Sequence, residues 1–433
     1  LIDMQEKLFY SRKSYYHAKR SRGVLKNALN YASGKGLFDQ IENPAILPDE
    51  EENRHIKKSN PFLRWHEIDQ FLIDVFQTGS GTSSNMNCNE IIANRASEIL
   101  GGKIGAKEPV HPNNHVNLGQ SSNDVIPTAI HLAANVKIQN ELLPALLTLS
   151  KELNKKSEEF KNVIKIGRTH LQDATPITLG QEFSGYAQMV SNGIERLKNI
   201  QQYLSEIAQG GTAVGTGLNT KKNFGKLMAE QISKMSGVKF MEAPNHFEAQ
   251  ASQDASVETS GTLKTVAVSL SKIANDIRWM GSGPRSGIGE LILPAVQPGS
   301  SIMPGKVNPV ICESIIQICA QVIGNDVTIT LGGQGGVFEL NMMLPLIAHN
   351  LLESIEILST GSNMFTNKLI TGLSANKEKC FDYIEDSLAM CTSLAPVIGY
   401  DKAAEVAHKA YETGMTIKQV CIKEKLFDED KLD

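Results

Sequence analysis

Residues 263–280 read LKTVAVSLSKIANDIRWM, and Leu263, Val266, Ala267, Leu270, Ile273, Ala274, Ile277 and Met280 recur at spacings of three and four. That interval is one face of an α-helix. Similar patterns run outward over 126–160, 179–207, 310–331 and 344–364. Segments this long predict a mainly α chain built on a central bundle of long helices. Small residues such as Ala129, Ala133, Ala134, Ala274 and Ala320 line them and permit close helix contact. Apolar residues occupy more than one face of several segments, which predicts burial between chains as well as within one.

The flanks of this bundle are punctuated differently. Asn43-Pro44, Asn60-Pro61, Gly79-Ser80-Gly81, Gly101-Gly102 and His111-Pro112 interrupt the first part, and the pattern breaks again near Gly372. Three parts are expected: a mixed, mostly helical N-terminal domain (1–119), the long-helix bundle (120–371) and a small helical C-terminal domain (372–433).

Composition narrows the class. With 433 residues, 41% of them hydrophobic and 21% charged, the chain reads as globular with a large core. A net charge of −4 argues for neither nucleic acid nor membrane as a partner. The basic residues of 1–35, including Lys7, Arg12, Lys13, Lys19 and Arg20, read as a solvated helical face. Six scattered cysteines without a Cys-x-x-Cys pair fit buried thiols in a reducing cytoplasm or organelle matrix, not a disulfide framework. No stretch reads as apolar enough to span a bilayer, and no secretory leader is apparent. A start at Leu1 rather than Met reads as a missing native N-terminus.

Chemistry concentrates in four segments. Gly299-Ser300-Ser301-Ile302-Met303-Pro304-Gly305-Lys306-Val307-Asn308-Pro309 carries two hydroxyls, an ammonium and an amide between glycines and prolines. It predicts a shaped loop, then a helix with Asn308 as N-cap and Pro309 at its first position. Helix N–H groups and Lys306 together favour an anion beside a serine. Thr78 to Asn85, Gln120 to Asp124 and Arg168 to Pro176 are the other three, each read as a polar cluster at a helix start. Capping accounts for one or two such residues per helix; these segments carry four to six, so several helix ends are expected to converge on a small polyanion. His170 lies inside one cluster, a setting for acid–base work, with Glu313 placed to orient it. His111 and His115 have i,i+4 spacing, but Pro112 lies between them and no carboxylate pair accompanies them, so no metal site is expected. Gly210-Gly211 and Gly332 to Gly336 read as turns.

Together these segments resemble the fumarase/aspartase superfamily, and most closely its class II fumarases. The resemblance is continuous from about Phe76 to Tyr411 and includes Gly283-Pro284-Arg285-Ser286-Gly287, Phe338-Glu339-Leu340-Asn341 and Gly399-Tyr400-Asp401-Lys402. It implies a three-domain fold whose bundle forms a homotetramer core, sites assembled from three subunits, and reversible hydration of fumarate to L-malate without metal or organic cofactor. Ser300 resembles the family's catalytic base, and His170, partnered by Glu313, the residue that handles water. Ser80, Thr82, Ser121, Ser122, Asn123, Thr169, Ser301, Lys306, Val307 and Asn308 match positions that hold the dicarboxylate. Lys306, Asn308 and helix N–H donors would stabilise the doubly charged aci-carboxylate intermediate. His111-Pro112-Asn113-Asn114 resembles a secondary anion site, but with Asn114 where the family carries Asp. Residues before about Phe71 match poorly. Elimination of ammonia from aspartate on the same scaffold is the alternative, and a non-catalytic structural relative a remoter one.

Overall fold

A computed structural model describes residues 71–427, so the basic stretch 1–35 and the breaks at Asn43-Pro44 and Asn60-Pro61 lie outside the described residues. The helices in chain order are α1 (Thr82–Ile99), α2 (Ser122–Lys137), α3 (Leu143–Glu159), α4 (Leu179–Leu204), α5 (Phe224–Ser236), α6 (His246–Ala251), α7 (Asp254–Met280), α8 (Val310–Gly333), α9 (Leu344–Lys368), α10 (Lys377–Asp386), α11 (Ala395–Ile398), α12 (Tyr400–Thr413) and α13 (Ile417–Lys423). Strands occur only in pairs among the described residues. β1 (Ile164–Thr169) and β2 (Gln172–Thr178) form an antiparallel hairpin, and β3 (Glu206–Ile207) runs parallel to β4 (Met241–Glu242). β5 (Leu291–Ile292) pairs with β8 (Ser374–Ala375), and β6 (Gly336–Val337) with β7 (Leu340–Asn341), both antiparallel.

The periodic face of α7 is the buried one. Leu263, Ala267, Ile273, Ala274 and Ile277 are fully buried, whereas Val268 and Trp279, off that face, are 54% and 46% exposed. Each large apolar side chain so buried contributes about 1.5–3 kcal/mol. The run expected over 126–160 divides into α2 and α3 at a widened turn, Ile138–Leu142, where the Leu143 N–H reaches back to the Ile138 carbonyl. Pro144 has no N–H to offer a regular ladder there.

Contacts divide the chain into two units. The first comprises the described residues up to Pro144 with Glu195–Ala267 and Ala320–Ser359; the second comprises Ala145–Ile194, Val268–Cys319 and Thr360 onward. In the first, Leu132 and Val136 of α2 pack with Ile207, Ala229, Ile232 and Phe240. Polar contacts join its helices as well: Asp326 of α8 accepts from Ser260 Oγ at 2.8 Å and from Lys264 Nζ at 2.6 Å. In the second, Phe160, Phe183 and Tyr186 stack edge to face, and the Tyr186 hydroxyl donates to Asp276 at 3.0 Å. A separate apolar cluster there holds α12 to α13 through Ala403, Val406, Ala410, Ile417 and Val420.

Two sequence expectations need correction. Gly332 and Gly333 belong to α8 rather than to a turn. The same helix is long and apolar enough to cross a bilayer by length and composition, with a mean hydropathy of 1.3, against the expectation that no stretch would be. Its Asn325 and Asp326 nevertheless engage neighbouring helices through side-chain hydrogen bonds, and Val327 and Leu331 remain 57% and 59% exposed.

Candidate active site

The first unit contains a cavity of about 620 Å³, lined among others by Thr82, Ser121, Ser122, Asn123, Asn113 and Asn114. Residues expected to hold a dicarboxylate and residues expected at a secondary anion site therefore share one space. Gly79 seats the first polar cluster: a Cβ there would lie 1.9 Å from the Met342 carbonyl oxygen, and its own carbonyl accepts from the Leu344 N–H. The following residues are already helical, since α1 begins at Thr82. Ser80 Oγ and Thr82 Oγ1 lie 2.8 Å apart, with Ser80 buried.

The second cluster both caps a helix and lines the cavity. Ser121 is the N-cap of α2: its hydroxyl accepts from the Asn123 N–H, and the Asp124 carboxylate accepts from the Ser121 N–H. Asn123 then donates to the Ala213 carbonyl at 2.7 Å, and Ser122 accepts from Asn85 at 3.1 Å. Asn85 and Asn89 both donate to Asn117 Oδ1, which ties α1 to the approach of α2. Sequence reading assigned no role to Asn85 and passed over Asn117, Thr212 and Asn219, all four lining the cavity; nothing local marks an amide whose partner is thirty residues away. His111 caps the turn Pro112–Val116, its Nδ1 accepting from the Asn113 and Asn114 N–H groups, and His115 Nδ1 accepts from the His111 N–H.

Asp124 is fully buried and accepts from the N–H groups of Gly210 (3.1 Å) and Thr212 (2.9 Å) and from Gln209 Nε2 (3.3 Å). Gly210-Gly211, read from sequence as a plain turn, is thus clamped to the N-cap of α2. Burial pushes the Asp124 carboxyl up from 3.8 to about 6, against the pull of its N–H donors. A value raised in the folded chain means the site favours the proton. Its stabilising contribution is full below about pH 4 and fades as pH rises to about 6, a span of about 3 kcal/mol. Asp124→Asn removes that titration and leaves N–H donors without an acceptor, at about 1–3 kcal/mol. Its melting temperature should fall progressively further behind the wild type's as pH drops from 6 to 4. A gap that narrows on acidification would refute the burial account.

The second unit carries the loop 299–308 and His170. The loop 299–308 closes on itself: the Gly299 N–H donates to the Lys306 carbonyl at 2.8 Å, and Asn308 Nδ2 donates to the Gly299 carbonyl at 2.7 Å. A Cβ at Gly299 would meet the Lys306 oxygen at 2.4 Å, so glycine is required at this neck. Gly305 turns the far side at φ +80°. Within the loop, Ser300 Oγ accepts from the N–H groups of Ile302 (3.2 Å) and Met303 (3.0 Å). An oxygen holding two N–H donors is better able to carry negative charge. Asn308 is spent on the neck instead of capping, and α8 starts at Val310, one residue later than expected. Ser301, Lys306 and Val307 are exposed, and Glu313 is half-buried in the first turn of α8.

Arg168 to Pro176 is not a helix start. Thr169 pairs with Gln172 across a two-residue hairpin turn made by His170 and Leu171, whose φ values are +57° and +61°. Such turns are normally built from Asn and Gly. Placing His and Leu there costs about 1–3 kcal/mol per residue, a strain that clusters at functional sites. His170 and Thr169 are exposed. Among the described residues no hydrogen bond or ion pair joins His170, Ser300, Lys306 and Glu313 to one another, so the expected His170–Glu313 pairing is not made within the chain.

The family model described as Lyase matches residues 16–324, and that described as Fumarase C C-terminus matches residues 390–433. The match thus begins well before Phe71, where sequence reading found little. The chain is 54% identical over 403 residues to "Fumarate hydratase, mitochondrial" of Rhizopus oryzae, covering 93% of this chain and 80% of that one. To "Fumarate hydratase class II" of Nitrosomonas europaea it is 52% identical, covering 90% of this chain and 82% of that one. Among solved structures, the class II fumarase of Schistosoma mansoni superposes with a TM-score of 0.83 at 37% identity, covering 96% of this chain and 88% of that one.

Proposed function

This chain belongs to the class II fumarase family, and from that premise we propose that it reversibly adds water to fumarate to give L-malate. The observation that carries the chemistry is the closed loop 299–308, in which Ser300 Oγ accepts from two N–H donors and which also contains the exposed Lys306. In the dehydration direction Ser300 removes the proton from the carbon next to a carboxylate. The electron pair moves onto that carboxylate, giving an aci-carboxylate with two negative charges. Lys306, Asn308 and the N–H groups of the loop stabilise it more than they stabilise malate, which is what lowers the barrier. His170 holds the leaving hydroxyl on the opposite face, so that the elimination is anti, and Glu313 orients the imidazole.

Thr82, Ser121, Ser122 and Asn123 line one cavity with a polar floor, which suits a small dicarboxylate; Ser80, Thr169, Ser301 and Val307 complete the set. Asn113 and Asn114 open on the same cavity and are candidates for an anion on its way in, with His111 and Pro112 shaping their turn. The enzyme is a homotetramer in this proposal, with each site built from three subunits. Two features support it: among the described residues no hydrogen bond or ion pair joins the proposed catalytic groups to one another, and Val268, Val327 and Leu331 leave apolar surface uncovered on the long helices. The three sequence parts 1–119, 120–371 and 372–433 are retained as its domain organisation. Relatives named as mitochondrial support a mitochondrial matrix or cytoplasmic location.

Purified protein given L-malate should form fumarate, followed as rising ultraviolet absorbance, and should leave L-aspartate unreacted. Fumarate from aspartate alone would replace this reading with an ammonia-lyase.

A further inference from the structure

We propose that Glu290, gripped by Lys165 and Arg168, is a positioning residue that holds His170 in place for the departure of water. The inference rests on the role given above to His170.

Four ionic side chains meet in the second unit beneath the hairpin. Arg168 Nη1 lies 2.8 Å from Glu290 Oε1, and Lys165 Nζ lies 3.4 Å from Glu290 Oε2 and 3.1 Å from Glu182 Oε2. Lys165 is 1% exposed and Glu290 fully buried. Burying ions gains little stability over burying apolar groups of the same volume, so such a cluster calls for another reason. Strand geometry supplies one. In a regular strand Lys165 and Arg168 would point to opposite faces. The register of β1 against β2 slips between Ile166 and Arg168, which brings both cations onto the same carboxylate. Gly167 makes the slip possible, since a Cβ there would stand 2.7 Å from the Thr175 carbonyl oxygen.

Glu290 is itself held from behind. Its carbonyl accepts from the Asn376 N–H at 2.9 Å at the start of α10, and Tyr383 of α10 presents its ring to the Arg168 guanidinium at 5.4 Å. Two residues beyond Arg168 the chain enters the strained turn. The His170 side chain makes no hydrogen bond among the described residues, so its place depends on the backbone, and the backbone depends on this clamp. Strained backbone persists only where its surroundings over-determine it. A reacting group displaced by about 1 Å loses roughly 10²-fold in rate.

The test compares tetramers of Arg168→Gln, Arg168→Lys, Glu290→Gln and His170→Asn by L-malate dehydration. Arg168→Gln and Glu290→Gln should lower kcat by about 10- to 100-fold with KM within about threefold. Arg168→Lys should restore part of kcat, because an ammonium reaches Glu290 without the paired geometry of a guanidinium. In the His170→Asn background, Arg168→Gln should have no further effect on kcat. If Glu290→Gln fails to fold, Arg168→Gln decides, because Arg168 is only partly buried. A lowered melting temperature with unchanged kcat per folded tetramer would overturn the proposal, as would a loss carried by KM. If His170→Asn keeps wild-type turnover, the role of His170 fails; if it is inactive while Arg168→Gln keeps full kcat, the clamp alone fails.

Discussion

Ser300→Ala is expected to lower kcat for L-malate dehydration by about 10³-fold, the range for removing a general base. The substitution deletes one oxygen and little else. The loop neck, made by the Gly299 N–H to Lys306 carbonyl bond and the Asn308 amide, does not involve the serine side chain. The Ile302 and Met303 N–H groups lose their acceptor, but both residues are exposed and water replaces it. Melting temperature and oligomeric state should therefore be unchanged, and KM should move far less than kcat, because the residues proposed to hold the dicarboxylate are untouched. Ser301 does not stand in, since the two loop N–H donors converge on Ser300 Oγ. Turnover near wild type in Ser300→Ala would remove Ser300 from the mechanism. A loss of affinity with kcat intact would recast it as a binding residue.

The second large effect is a gain. Ser300→Ala and His170→Asn should each be nearly inactive alone, yet mixed tetramers formed by refolding the two together should recover about a quarter of wild-type activity. The figure follows from random assembly. If a site takes its loop from one chain and its histidine from another, each is intact half the time, and both are intact in about one site in four. The motive is the geometry of the single chain, where His170 sits at a hairpin tip and Ser300 in a closed loop with no hydrogen bond between them. If both residues of a site came from the same chain, every site in the mixture would carry a defect and activity would stay at background. This experiment therefore tests shared sites directly, whereas measuring mass alone tests only the tetramer.

How much was legible beforehand differs between elements. The long helices were readable because a three-and-four apolar interval is a local property: α8 and α9 start where the expected runs do, and α7 ends with its run at Met280 but starts earlier, at Asp254. The loop 299–309 was readable as a shaped loop because its glycines, prolines and polar groups are adjacent. The cluster at Arg168 was misread because His-Leu is an unusual pair for a tight hairpin turn, so composition pointed to a helix start. Asn308 was misread for a related reason: as an N-cap it is a good local choice, but a carbonyl nine residues back claims its amide.

The chain's own sequence thus determined where the long helices run and the family to which it belongs, and it nominated the residues proposed to carry the chemistry. Only the tertiary structure decided how the chain is held around them: Asp124 reaching across some eighty-five residues to the Gly210 loop, Asn117 accepting from two amides of α1, and Glu290 gripping the strand that ends just before His170. The physical reason is the range of the interactions. Helical periodicity, capping and turn chemistry act over a few residues and leave their mark in consecutive letters. Hydrogen bonds and buried ion pairs between distant segments have no local signature, and they arise only once the packing has brought their partners within about 3 Å.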